Sequence, residues 1–136
     1  MTMKIILNEI ELNPINIIGG KKNVQGANRD TLTFVFPAEM DMAELDSIFI
    51  AKNCESITIE SVDDKGNVAT HIHKGYTVRG ELSKAVVRTQ DETEDAPAVY
   101  EERINVVMGQ RTYAETKMAE MEEALNMILE GVTDEA

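Results

Sequence analysis

The chain has 136 residues, 43% of them hydrophobic, with 13 lysines and arginines against 25 aspartates and glutamates for a net charge of −12. That length supports one domain, able to bury about two-thirds of the surface its unfolded form exposes. A single cysteine excludes an internal disulfide, the opening MTMKIILN lacks a basic segment leading into an apolar run, and no apolar stretch approaches the roughly 20 residues of a membrane span. Synthesis in the cytoplasm without membrane contact is therefore expected.

The charge is uneven. Residues 1 to 90 hold 10 basic and 12 acidic side chains, whereas residues 91 to 136 hold 3 basic and 13 acidic. Such a C-terminal third repels phosphates and argues against nucleic-acid binding through it.

In chain order, Met3 to Leu12 mixes β-branched and acidic residues, with Asn8 and Glu9 as a turn or bulge between two short strands. Asn13 and Pro14 punctuate it. The Gly- and Asn-rich stretch from Gly19 to Asn28 reads as a long exposed loop. It lacks the GxxxxGK[ST] order of a phosphate-binding loop. Thr31 to Phe36 alternates Leu32, Phe34 and Phe36 with Thr31, Thr33 and Val35, which predicts a half-buried strand. Pro37 ends it. Asp41 and Glu44 then cap a short helix near 41–52 carrying Met42, Leu45 and Phe49 on one stripe.

Period two returns at Ile57 and Ile59, followed by the turn-forming run Asp63 to Asn67 and by Val68, Thr70 and Ile72 on one face, a predicted hairpin. The next strand carries Tyr76, Val78 and Leu82 on one face. Gly80 and a change of parity near Ser83 and Lys84 predict a bulge or bend in it. Its partner spans Tyr100 to Met108, and the acidic segment DETEDAPA makes the loop between them. Together these strands read as a four-strand meander.

From Thr112 to Glu115 a terminal helix of about 18 residues begins, ending before Gly131 at a C-cap. Met118, Met121, Leu125, Ile128 and Val132 recur at alternating spacings of three and four, a heptad seam that must be covered by the domain's own sheet or by the same helix from neighbouring copies. In the intramolecular reading, Met127 and Leu129 broaden this amphipathic helix's stripe. Glu115, Glu120, Glu122 and Glu123 supply a candidate acidic face outside the seam. The expected organisation is an α+β domain over 1–110, an antiparallel sandwich or partly closed barrel, then the helix at 111–131 and a disordered tail at 132–136.

Sites of chemistry are poorly supported. His71 and His73 share a strand face, as two metal ligands would, but no third ligand stands at a recognisable spacing. Asp63, Asp64 and Asn67 lack the DxDxDG order of a calcium loop. Cys54 has no sequence neighbour that would activate it and reads as a buried structural thiol. The chain has no tryptophan and only 4% aromatic residues, too few for a carbohydrate-stacking platform. No catalytic residue, cofactor or metal is expected, and the chain reads as a non-enzymatic interaction module.

The phrases NPINIIGGKKNVQGANRDTLTFVFP, MAELDSIF, HKGYTVRGELSKAVV and RINVVMGQRTYAETKMAEMEEAL together resemble small proteins of the tail and baseplate region of phages and prophages of Gram-positive bacteria, a similarity that runs from about Ile5 to Leu129. The resemblance transfers no catalytic residues. It implies a structural or assembly component, made in the host cytoplasm and carried into the virion, that contacts other tail proteins and further copies of itself. The charge asymmetry suggests an alternative: a small acidic phage-encoded inhibitor that binds a host protein or mimics a polyanion.

Overall fold

The computed structural model describes residues 2–134, with side chains described as far as Leu129. Its elements are β1 (Thr2–Leu7), β2 (Ile10–Leu12), β3 (Asn16–Val24), β4 (Ala27–Pro37), α1 (Met42–Ile48), β5 (Ser56–Val62), β6 (Val68–Lys74), β7 (Val78–Gln90), β8 (Val99–Gly109) and α2 (Tyr113–Asp134). Two antiparallel four-stranded sheets form, one in the order β2-β1-β5-β6 and the other β3-β4-β8-β7. The architecture is thus an α+β sandwich, the first of the two arrangements the strand pattern predicts.

The predicted four-strand meander is divided. β5 and β6 belong to one sheet, whereas β7 and β8 close the other. The core lies between the sheets, where Ile5, Leu7 and Ile57 from the first meet Leu32, Phe34, Phe36, Ile104, Val106 and Met108 from the second. α1 joins the two sheets in sequence. Asp41 caps it by accepting a hydrogen bond from the Ala43 amide at 2.9 Å, and Leu45, Ile48 and Phe49 turn inward. Phe49 lies 5.3 Å from the Phe34 ring and 5.9 Å from the Phe36 ring, so the three phenylalanines of the chain form one cluster.

Several expectations need correction. Gly19 to Asn28 is not a loop: β3 and β4 pair continuously from Asn16↔Val35 to Val24↔Ala27 around a two-residue turn. Gln25 (φ 46°) and Gly26 (φ 83°) supply the left-handed conformations that such a turn needs. β3 is a sheet edge, where glycines and exposed lysines are tolerated. β4, expected to be half-buried, is buried on both faces from Thr31 to Phe36, and it is a central strand between β3 and β8. Val68, Thr70 and Ile72 of β6 are exposed, since Ile57 on β5 faces the core and pairs with His73, not with Ile72. The irregularities of β7 lie between Arg79 and Leu82, at the Gly80 that the sequence points to, and between Arg88 and Gln90, whereas Ser83 and Lys84 pair regularly. At Gly80 an added Cβ would stand 3.1 Å from the Val107 side chain, which explains the glycine at the first of them.

The β1–β2 turn uses Asn8 (φ 47°) and Glu9 (φ 70°), both in the left-handed region. Asn8 is tied to Asn53 by a 3.1 Å hydrogen bond, and asparagine tolerates this conformation, but glutamate bears a steric cost there. Glu9→Gly is expected to raise stability by about 0.5–1 kcal/mol. Urea unfolding checks this, and a fall in the midpoint would show that the Glu9 side chain contributes more than its backbone costs.

Candidate functional site: the C-terminal helix and its anchor

β8 ends at Gly109, and the chain is held closely as it leaves the sheet. The Gln110 amide donates to the Asp30 carbonyl at 2.8 Å and the Arg111 amide to the Gly75 carbonyl at 2.8 Å. Arg111 also donates to Glu55 at 3.0 Å. α2 then begins in a reciprocal cap. The Thr112 amide donates to Glu115 Oε1 at 2.9 Å, and the Glu115 amide to Thr112 Oγ1 at 3.2 Å, so the side chains satisfy two backbone donors at the helix start.

The same carboxylate receives a buried guanidinium. Arg29 on β4 is only 5% exposed. Its Nη1 donates to Glu115 Oε1, and its Nη2 to Oε2 at 3.0 Å. Nε donates to the Val24 carbonyl at 2.8 Å and Nη1 also to that of Gln110 at 3.3 Å. Arg29 thus clamps the β3–β4 hairpin, the end of β8 and the first turn of α2 together by a two-pronged carboxylate contact. Gly109 makes room for it, because a Cβ there would lie 2.9 Å from Arg29 Cδ. The Arg29 contact, helped by the Thr112 amide, pulls the Glu115 carboxyl down to about 2. Arg29 is raised in turn, chiefly by its hydrogen bond to Glu115.

Beyond this first turn α2 leaves the body. Met118 is 61% exposed, Met121 70%, Leu125 55% and Ile128 62%. The four residues follow one another at helical spacings of three and four and share one side. Neither sheet covers them, so the intramolecular packing that the sequence allows is not what the described residues adopt. Met127 does not broaden the stripe: at 3.6 residues per turn it falls on the far side of the helix. Leu129 lies beside the stripe. The helix also runs through Gly131 to Asp134, past the predicted C-cap and into the predicted tail. The Val132 side chain and residues 135 and 136 lie outside the described residues.

The four acids of the predicted acidic face separate. Glu115 is held by Arg29, Glu122 borders the apolar stripe, and Glu120 and Glu123 lie on the opposite side. All three of the latter are exposed.

Elsewhere, His71 is exposed and His73 is half-buried, its ring meeting the Tyr76 ring edge-on at 5.7 Å. Among the described residues no group of three potential ligands converges on a metal position. Cys54 is wholly buried. Burial pushes its thiol up to about 11, with the Arg79 charge drawing it partly back, so it is a thiol at neutral pH and poorly suited to nucleophilic attack. The DETEDAPA loop is exposed and contains a turn in which the Thr93 amide donates to the Ala96 carbonyl at 2.8 Å. No helix among the described residues is long and apolar enough to cross a membrane.

Sequence reasoning missed Arg29 and Gly109 entirely. The signal for the anchor lay in Thr112-x-x-Glu115, the spacing of a reciprocal cap, but nothing in the sequence joins that motif to an arginine 86 residues earlier. Comparison with family models, with curated proteins and with solved structures gave no match.

Proposed function

We propose that this chain is a non-enzymatic structural or assembly protein of a phage tail or baseplate, acting through protein–protein contacts. The observation that carries this reading is the uncovered stripe Met118, Met121, Leu125 and Ile128, presented on a helix whose base is fixed to a rigid sandwich. Large side chains exposed together along one helix face favour an interaction surface, and the resemblance of the sequence to tail-region proteins supplies the setting. Methionines suit such a surface because they adapt to a facing side chain.

The acidic-inhibitor alternative has weaker support. It needs one anionic face, whereas Glu115 is held by Arg29 and the exposed Glu120, Glu122 and Glu123 are spread around α2.

The test is deletion of the gene from the phage or prophage that carries it, with mass spectrometry of the purified parental particles. The chain is expected in fixed proportion to tail proteins, and its loss is expected to leave particles without complete tails. Intact, infectious particles after deletion overturn the proposal.

A further inference from the structure

The stripe on α2 requires an occupant, and its flanks favour a second copy of this chain. In heptad terms Met118 and Leu125 are a positions, and Met121 and Ile128 are d positions. The flanking g positions are Lys117 and Ala124, and the e positions are Glu122 and Leu129. When identical helices lie parallel, each g residue faces the e residue five places further along its neighbour. Here that places Lys117 against Glu122 and Ala124 against Leu129, one pair of opposite charges and one apolar pair. Antiparallel packing sets g against g and e against e. Glu122 would then face another glutamate or a leucine.

Lys117 currently lies 3.1 Å from Glu120, with both side chains more than half exposed. An exposed contact of this kind contributes little, so exchanging it for a contact with a neighbouring helix costs little.

We infer that α2 self-associates as a parallel bundle of three or more copies through Met118, Met121, Leu125 and Ile128, with Lys117 of each helix paired to Glu122 of the next. The inference rests on the reading of α2 as a contact surface and specifies its occupant. Two features argue for more than two helices. Leucine at a with isoleucine at d favours trimers and tetramers over dimers. Small Ala124 and apolar Leu129 also widen the buried seam to either side, as a larger bundle needs. A helix this short is marginal alone, but the Thr112, Glu115 and Arg29 contacts already fix its first turn, which lowers the ordering cost of association.

Sedimentation equilibrium of the full chain at low and high salt tests the inference. The expected result is a mass at least three times that of the 15.1 kDa chain. Association should tighten with salt, because copies of net charge −12 repel one another. Met121→Asp with Leu125→Asp should reduce the mass to one chain while the sheet circular dichroism is unchanged. Met118→Cys tests direction without burdening the fold. A parallel bundle oxidises to a covalent pair of twice the chain mass, whereas an antiparallel one holds these positions too far apart, and Cys54 is buried.

Charge exchange gives a further check. Lys117→Glu should weaken association, and adding Glu122→Lys should restore it. A single-chain mass at every concentration and salt overturns self-association, whereas the particle experiment tests the proposed function separately. A stable dimer overturns the bundle, and an oligomer that Met118→Cys does not cross-link overturns its direction.

Discussion

Phe49→Ala is expected to lower the unfolding free energy by about 3–5 kcal/mol, the usual range for emptying a buried aromatic position. Phe49 is wholly buried and touches the rings of both Phe34 and Phe36, which belong to the central strand β4. Its backbone also closes α1: its amide donates to the Leu45 carbonyl at 3.0 Å, and its carbonyl accepts from Arg79 Nη1 at 3.2 Å. The ring therefore links α1 to the sheet, and its loss leaves a void that two neighbouring phenylalanines cannot fill without moving. Domains are stable by only about 5–15 kcal/mol, so this variant should be close to unfolding. Urea titration measures the effect, with Met127→Ala, on the exposed side of α2 away from the stripe, as a control expected to stay within about 0.5 kcal/mol. A loss below about 1 kcal/mol for Phe49→Ala would mean that α1 lies outside the cooperative core.

What the sequence made legible follows from how local each signal is. Alternation and turn chemistry identified β4, β5, β6 and β8, because side-chain parity and hairpin turns are set within a few residues. The Asp41 cap was readable for the same reason. Partner choice was not. Whether β6 continues to β7 in one sheet or breaks to the other depends on which strands meet across the core, and β5 and β7 look alike in pattern. β3 failed differently. Its glycines and lysines resemble a loop because an edge strand has little apolar face to display, and only the pairing with β4 reveals it.

The candidate site divides along the same line. The heptad spacing of Met118, Met121, Leu125 and Ile128 is local, and the four side chains are exposed along one side of α2. Periodicity alone could not say whether that seam packs on the chain's own sheet. The answer depends on where β8 delivers the helix, and therefore on Gln110 and Arg111 bonding to Asp30 and Gly75. Glu115 shows the limit most clearly. By composition it is one acid in a crowded acidic segment, but a buried arginine from β4 makes it the attachment point of the helix.

Glu115→Ala should consequently have the second large effect, lowering Tm by about 5 °C at neutral pH. The substitution removes the helix cap and leaves the Arg29 guanidinium, 5% exposed, without its counter-charge, and a buried charge stripped of its partner is costly. The pH dependence isolates the ionic part. Glu115 titrates near 2 in the folded chain against an ordinary value of 4.5, so its carboxylate stabilises the fold fully above about pH 4.5. That contribution declines as pH falls toward 2, where the folded state also becomes protonated. The gap in Tm between the parent and Glu115→Ala should therefore be constant near neutrality and narrow between about pH 4.5 and 2. Subtracting the two curves removes carboxylates common to both, such as Asp63, whose own value is lowered by its turn contacts to Asn67. Hydrogen exchange should show faster amide exchange in the first turn of α2 in the variant, with the β8 amides less affected. A gap that does not change with pH would mean that the charge on Glu115 does not hold the helix and that the variant loses only uncharged contacts of this side chain. The Arg29 contact would then be an accessory to the fold rather than the anchor of α2.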